Sequence, residues 1–225
     1  MIQFLYNIAV WVLPVLFAIT LHEAAHGWVA DKLGDPTARN LGRISLNPIR
    51  HIDPVGTVLM PLVLLVAIGV AFGAAKPVPV DPRNFRQPQL DMAMVALAGP
   101  VSNFIMAIFW ALLITSSLHF LPRNFFSVTL QLMGQAGVAI NLLLIALNIL
   151  PIPPLDGSKI LAGVLPASWV SGYMQLERYG ITLIIVLIVI GVIFKLPLLW
   201  SILHFLVKPF MLFFETVFNF QGIYF

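Results

Sequence analysis

The sequence predicts an all-α polytopic membrane protein of about five to six transmembrane helices. Three observations carry this reading. Hydrophobic residues make up 60% of the 225 residues and charged residues only 9%, against about 25% charged in a soluble domain. The mean hydropathy is +0.99. The apolar residues also gather in runs of the length, about 17–25 residues, that a helix needs to cross a bilayer.

The first run, 4–30, lacks a basic leader and an A-x-A cleavage site, so it reads as a retained helix. The next runs are 55–73, 91–121, 128–150 and 180–218. The last is too long for one span, and Lys195-Leu196-Pro197 divides it into helices of about 180–194 and 198–218. Polar, proline-rich connections occupy 31–54, 74–90, 122–127 and 151–179. The segment 157–178 reads as one short amphipathic surface helix, and 76-KPVPV-80 reads extended because residues before proline avoid helical backbone. With its prolines lacking donors, that segment can pair along one edge only.

The run 55–73 sets the topology. If it crosses, Lys and Arg divide six against six between the two sides. If it enters and leaves on one side, they divide ten against two, with Arg123 and Lys195 on the far side. Basic residues favour cytoplasmic loops, so a re-entrant 55–73, with Pro61 and Gly69 as break points, is expected. The net charge of +3 is small and the basic residues are scattered, so nothing points to nucleic acid. Cys is absent, which excludes disulfides and thiolate metal sites.

Against this background 20-TLHEAAHGW-28 is out of place. His22 and His26 stand i and i+4 on one helix face and can address one metal ion, with Glu23 close enough to hold a proton. This is the H-E-x-x-H pattern of zinc sites. Interhelical polar contacts are the plainer alternative for such groups. Three ionisable residues within one span cost about 2.5–3.5 kcal/mol each at its centre, which favours the metal. A catalytic zinc site needs a third protein ligand and an open fourth position. Asp156, in 148-NILPIPPLDG-157, follows an apolar run and a proline-rich break and is the candidate. His51, His119 and His204 lie in a loop or near helix ends and read as structural.

His22-Glu23-x-x-His26, then Gly99-Pro100-x-x-Asn103, then Asn148 with Pro151-x-Pro153-x-Leu155-Asp156-Gly157 resemble, in that order, the site-2 protease family of intramembrane zinc metalloproteases. The stretches 34–57 and 75–88 look like its compact subgroup without a PDZ domain. The resemblance spans about residues 1–160, and implies one protease domain over 1–225 with that core and additional helices at 180–218. It implies that His22, His26 and Asp156 ligate Zn2+, that Glu23 is the general base, and that Asn148 and Asn103 face substrate or the developing oxyanion. It further implies a transmembrane protein or peptide as substrate. The membrane would be the prokaryotic cell (inner) membrane, with the site toward the cytoplasm. The alternative is a zinc-binding pseudoprotease or scaffold without catalysis. An ion pathway is a weaker reading, because the ionisable groups gather at one depth.

Overall fold

The structure, a computed structural model, describes residues 2–60, 62, 63, 66, 75–195 and 198–218. Every regular element among these residues is helical. Helix α1 (Ile2–Leu33) leads through a short α2 (Thr37–Asn40) and a series of tight turns to α3 (Pro88–Phe120) and α4 (Phe125–Ile149). Then follow α5 (Asp156–Val164), α6 (Ala167–Met174), α7 (Glu177–Ile193) and α8 (Leu198–Phe218). Helices α1, α3, α4 and α8 are long and apolar enough to cross a membrane, and α6 with α7, bent by 56°, is a fifth candidate as a pair. The protein is an integral membrane protein.

Small residues build the core of the bundle. Ala18, His22, His26 and Ala30 recur every four residues on α1 and are buried. They meet Val95, Gly99, Asn103 and Ala107, buried at the same spacing on α3. Two four-residue ridges thus face each other, and their alanines and glycine let the backbones approach. α3 returns antiparallel as α4, where Gly134 and Gly137 leave room for Ile114 and Trp110. Asn124 starts α4 with a reciprocal cap to Ser127. Tyr6 Oη lies 2.9 Å from Thr129 Oγ1, which ties the start of α1 to the start of α4 at the end of the bundle far from the histidines.

The loop run departs and returns at one place. The Lys76 N–H donates to the His51 carbonyl at 2.9 Å, so the segment between them begins and ends on one side, as a re-entrant element requires. It opens with a wide turn over Pro54–Leu59 capped by Asp53. Pro61, Gly69 and most of 61–74 lie outside the described residues.

Two expectations need correction. The segment 157–178 is not one helix. It breaks between α5 and α6 at Leu165, which takes an extended ψ of 150° ahead of Pro166, as a residue before proline tends to. Lys195 is not at the far end. Phe104 on α3 packs against Phe210 and Phe214, and Thr115 Oγ1 donates to the Phe218 carbonyl, so α8 runs alongside α3 in the same direction. It therefore starts at the histidine end, three residues after Lys195. α7 also begins there, with Gly180 against the Pro153 carbonyl.

Candidate metal centre

Three side chains converge where α1, α3 and α5 meet. His22 Nε2 and His26 Nε2 lie 3.1 and 3.3 Å from Asp156 Oδ2. The three ligand atoms fall within 4.8 Å of one another, and all three residues are buried. The helical spacing of four stacks the two imidazoles edge to face, with ring centroids 4.6 Å apart. Asp156 arrives as the first residue of α5, after 150-LPIPP-154 has turned the chain back toward α1. That turn is held by the Tyr173 hydroxyl, which donates to the Pro151 carbonyl at 2.8 Å. Gly157 can hold no side chain, because a Cβ would strike the carbonyl of Ile149.

The other face of each ring decides what the centre can bind. His26 Nδ1 is 2.7 Å from the Val95 carbonyl, an acceptor, so Nδ1 carries the hydrogen. His22 Nδ1 is 2.6 Å from Asn103 Oδ1. The orientation of that amide is set by its other bonds. Asn103 Nδ2 donates to the Ala18 carbonyl and to Asn141 Oδ1, and Asn141 Nδ2 donates to the Gly137 carbonyl. Both Nδ1 atoms are thus donors, and in the neutral rings both Nε2 atoms present lone pairs. They point at a carboxylate oxygen, buried Asp156 Oδ2, that makes no hydrogen bond among the described residues. Three acceptors facing one another repel unless a cation sits among them. Two imidazoles and a carboxylate are a zinc donor set that leaves a fourth position open. Gly99 keeps this space clear, since a Cβ there would come within 2.6 Å of His22 Nε2 and of His26 Cε1.

Glu23 stands next to the centre without joining it. Its Oε2 accepts the Val78 N–H at 2.9 Å. Val78 is the only donor in 77–79, because prolines flank it. The strap 76–81 that carries this amide is tied at both ends. Lys76 bonds His51, and Arg43 Nη2 donates to the Lys76 and Pro77 carbonyls at 2.9 and 3.3 Å. At the other end the Asp81 N–H donates to Asp35 Oδ2 at 2.7 Å. Asp35 is fully buried. It also accepts from the Thr37 hydroxyl, the Thr37 N–H and Asn84 Nδ2. Burial alone would raise its pKa, but these donors hold it below the usual carboxylate value. Asp81, on the surface, is drawn down to about 2 by the Arg83 guanidinium.

Of the remaining expected residues, Asn103 is wholly buried behind His22. Asn148 is half-buried near the end of α4 and donates to the Leu144 carbonyl at 3.0 Å. His51 is buried against the Ser45 carbonyl, and His119 Nδ1 bonds the Thr115 carbonyl. Sequence reasoning overlooked Asn141, the Val95 carbonyl and the Val78 amide. Only Asn141 had a signal of its own, an amide in the middle of an apolar run.

The chain is similar to several proteins provisionally named as zinc metalloproteases. YwhC of Bacillus subtilis is 40% identical over 180 residues, 79% of either chain. Rip2 of Mycolicibacterium smegmatis is 27% identical over 191 residues, which cover 83% of this chain and 67% of Rip2. MJ0611 of Methanocaldococcus jannaschii is 42% identical over 67 residues, 30% of this chain. No family model and no solved structure matches. With the histidine pair, the aspartate and their order along the chain in place, the similarity over most of YwhC is decisive, and the chain belongs to the site-2 protease family of zinc metalloproteases.

Proposed function

We propose that this protein hydrolyses peptide bonds of transmembrane-helix substrates at the centre formed by His22, His26 and Asp156. The supporting observation is the convergence of three buried acceptors on one point, with a fourth ionisable group, Glu23, alongside but outside it. His22 and His26 would hold Zn2+ through Nε2, and Asp156 through a carboxylate oxygen. When bound, zinc supplies Lewis acidity, polarising the scissile carbonyl and making a water more acidic.

The chain's own groups do the rest. Glu23 takes the proton of the attacking water on its carboxylate and passes it to the leaving amine. The Val78 amide fixes the Glu23 carboxylate while this happens. Asn103, through Asn141, holds the His22 ring in the tautomer that leaves Nε2 free, and the Val95 carbonyl does the same for His26. Asn148, near the mouth formed by the end of α4, contacts the substrate backbone. A substrate helix hides its carbonyls in its own hydrogen bonds and must unwind locally before attack. All the Lys and Arg residues except Arg123 and Lys208 lie at the site end, which favours a site facing the cytoplasm of a prokaryotic cell across its inner membrane. Residues 1–225 act as one unit in this scheme, with the chemistry confined to 1–160.

The test compares wild type with Glu23→Gln on a model transmembrane substrate, with zinc measured in both. Retained zinc with cleavage slowed by about 10²–10⁴-fold is expected for loss of a general base. Equal cleavage by both proteins overturns the catalytic assignment. Zinc with no cleavage by wild type on any helical substrate points to a binding protein instead.

A further inference from the structure

Helix α8 has three distinct faces. Leu199, Leu203, Val207 and Phe214 are buried against the bundle. Ile202, Phe205, Leu212 and Phe213 are exposed and suit lipid. Between them runs a third stripe, Ser201, His204, Lys208 and Glu215, at spacings of three, four and seven residues. By helical geometry these four side chains fall within an arc of about 60°. Ser201, His204 and Lys208 are exposed and Glu215 is half-buried. Neither Lys208 nor Glu215 has an ion-pair partner among the described residues. Lys208 stands near the middle of a helix long and apolar enough to cross a membrane. Beside the stripe, a cavity of about 620 Å³ opens between α4 and α8, lined by Leu143, Trp200, Ser201, Leu203, His204 and Val207.

Ionisable groups at such depth face a partner or water rather than acyl chains. A second copy of the chain is a poor occupant. Two copies in one membrane with one orientation form a two-fold pair about an axis along the membrane normal, which brings Lys208 against Lys208 at the same depth. We propose that this stripe is a docking face for the transmembrane helix of a different membrane protein, one that carries a carboxylate at the depth of Lys208. A hydrogen-bond donor about 10 Å further along that helix would meet Glu215, the rise of seven residues. The cavity beside Trp200 receives a side chain from the same helix. None of the four residues belongs to the metal centre, so this face works whether or not the bound helix is cleaved.

The experiment uses the full chain in liposomes with synthetic polyleucine transmembrane peptides that carry Asp, Lys or only Leu at the centre. Association is read by energy transfer from a dye on a single introduced cysteine, which the cysteine-free chain makes unambiguous. The Asp peptide is expected to bind at least ten-fold more tightly than the all-Leu peptide, and the Lys peptide no better than it. The preference should vanish in Lys208→Leu, persist in Lys208→Arg, and leave zinc content unchanged in both variants. Equal binding of the Asp and Leu peptides overturns the proposal. So does self-association of the protein that is lost in Lys208→Leu. Modification of Lys208→Cys by a charged thiol reagent, without peptide, as fast as a cysteine in the 41–50 loop also overturns it, because the stripe would then line water.

Discussion

Replacing Asn103 by leucine removes one hydrogen-bond acceptor from the back of His22 and should weaken the hold on zinc. In the native arrangement Asn103 Oδ1 lies 2.6 Å from His22 Nδ1, and nothing else is bonded to that nitrogen among the described residues. Leucine keeps the same number of side-chain heavy atoms and the same branch at Cγ, and helical content measured alongside checks that α1 still packs on α3. Without the acceptor, the His22 proton is free to move to Nε2, the atom that should face the metal. Loss of such an outer partner lowers metal affinity about 10–100-fold, or about 1.4–2.7 kcal/mol. Asn141→Leu acts one link further back, on the acceptor that orients Asn103. Its effect should be smaller, about three-fold to ten-fold by the same reasoning. Competition against a chromogenic zinc chelator, on purified protein in nanodiscs, measures both. Native affinity in Asn103→Leu, or a larger loss in Asn141→Leu than in Asn103→Leu, refutes the hydrogen-bonded chain as the device that sets the His22 tautomer.

Other changes follow from single contacts. Gly99→Ala drives a methyl group into both imidazoles, and zinc per protein should fall at least about ten-fold while the helical content holds. Val78→Pro extends a proline run the backbone already tolerates but deletes the only amide that bonds Glu23 among the described residues. Turnover of a model substrate should fall about ten-fold, the worth of a hydrogen bond to a charged group, with zinc retained. Asp35→Asn leaves buried donors poorly matched and should cost about 3 kcal/mol in thermal or denaturant unfolding. The pH dependence has a definite sign. The folded Asp35 pKa is depressed, so its contribution is complete above the unfolded value of about 3.9 and is lost as pH falls through the lower folded value. The stability gap between wild type and Asp35→Asn should therefore be constant from pH 7 to 5 and narrow below about pH 4.

Much of the centre was legible from residue spacing. His22 and His26 declare themselves because a helix places i and i+4 together, and Asp156 because an acid after a proline-rich break in apolar sequence needs a polar setting. The re-entrant reading of 55–73 came from charge balance; the bond from Lys76 to His51 holds the two ends of that stretch together, while most of 61–74 lies outside the described residues. What stayed hidden is mostly backbone. Every residue has a carbonyl and nearly every one an amide, so nothing in the side chains of Val95 or Val78 marks them as partners of His26 and Glu23. The break ahead of Pro166 was readable from the proline itself, since the residue before a proline avoids helical backbone. The direction of α8 was not readable at all. Hydropathy reports whether a helix is long enough to cross, while its direction depends on how many earlier elements cross, and the bent α6–α7 pair upsets that count. Lys208 and Glu215 show the same gap: their spacing was visible, but their shared exposed flank required knowing which face of α8 the bundle buries.

The account rests on two imidazoles and one carboxylate closing on a metal ion. X-ray absorption at the zinc edge, on the purified chain and on Asp156→Ala, tests this most directly. The account predicts one zinc per chain with two imidazole ligands in both proteins, and loss of one oxygen neighbour together with weaker binding in Asp156→Ala. A shell with one imidazole, with three, or with oxygen ligation unchanged by Asp156→Ala would contradict it.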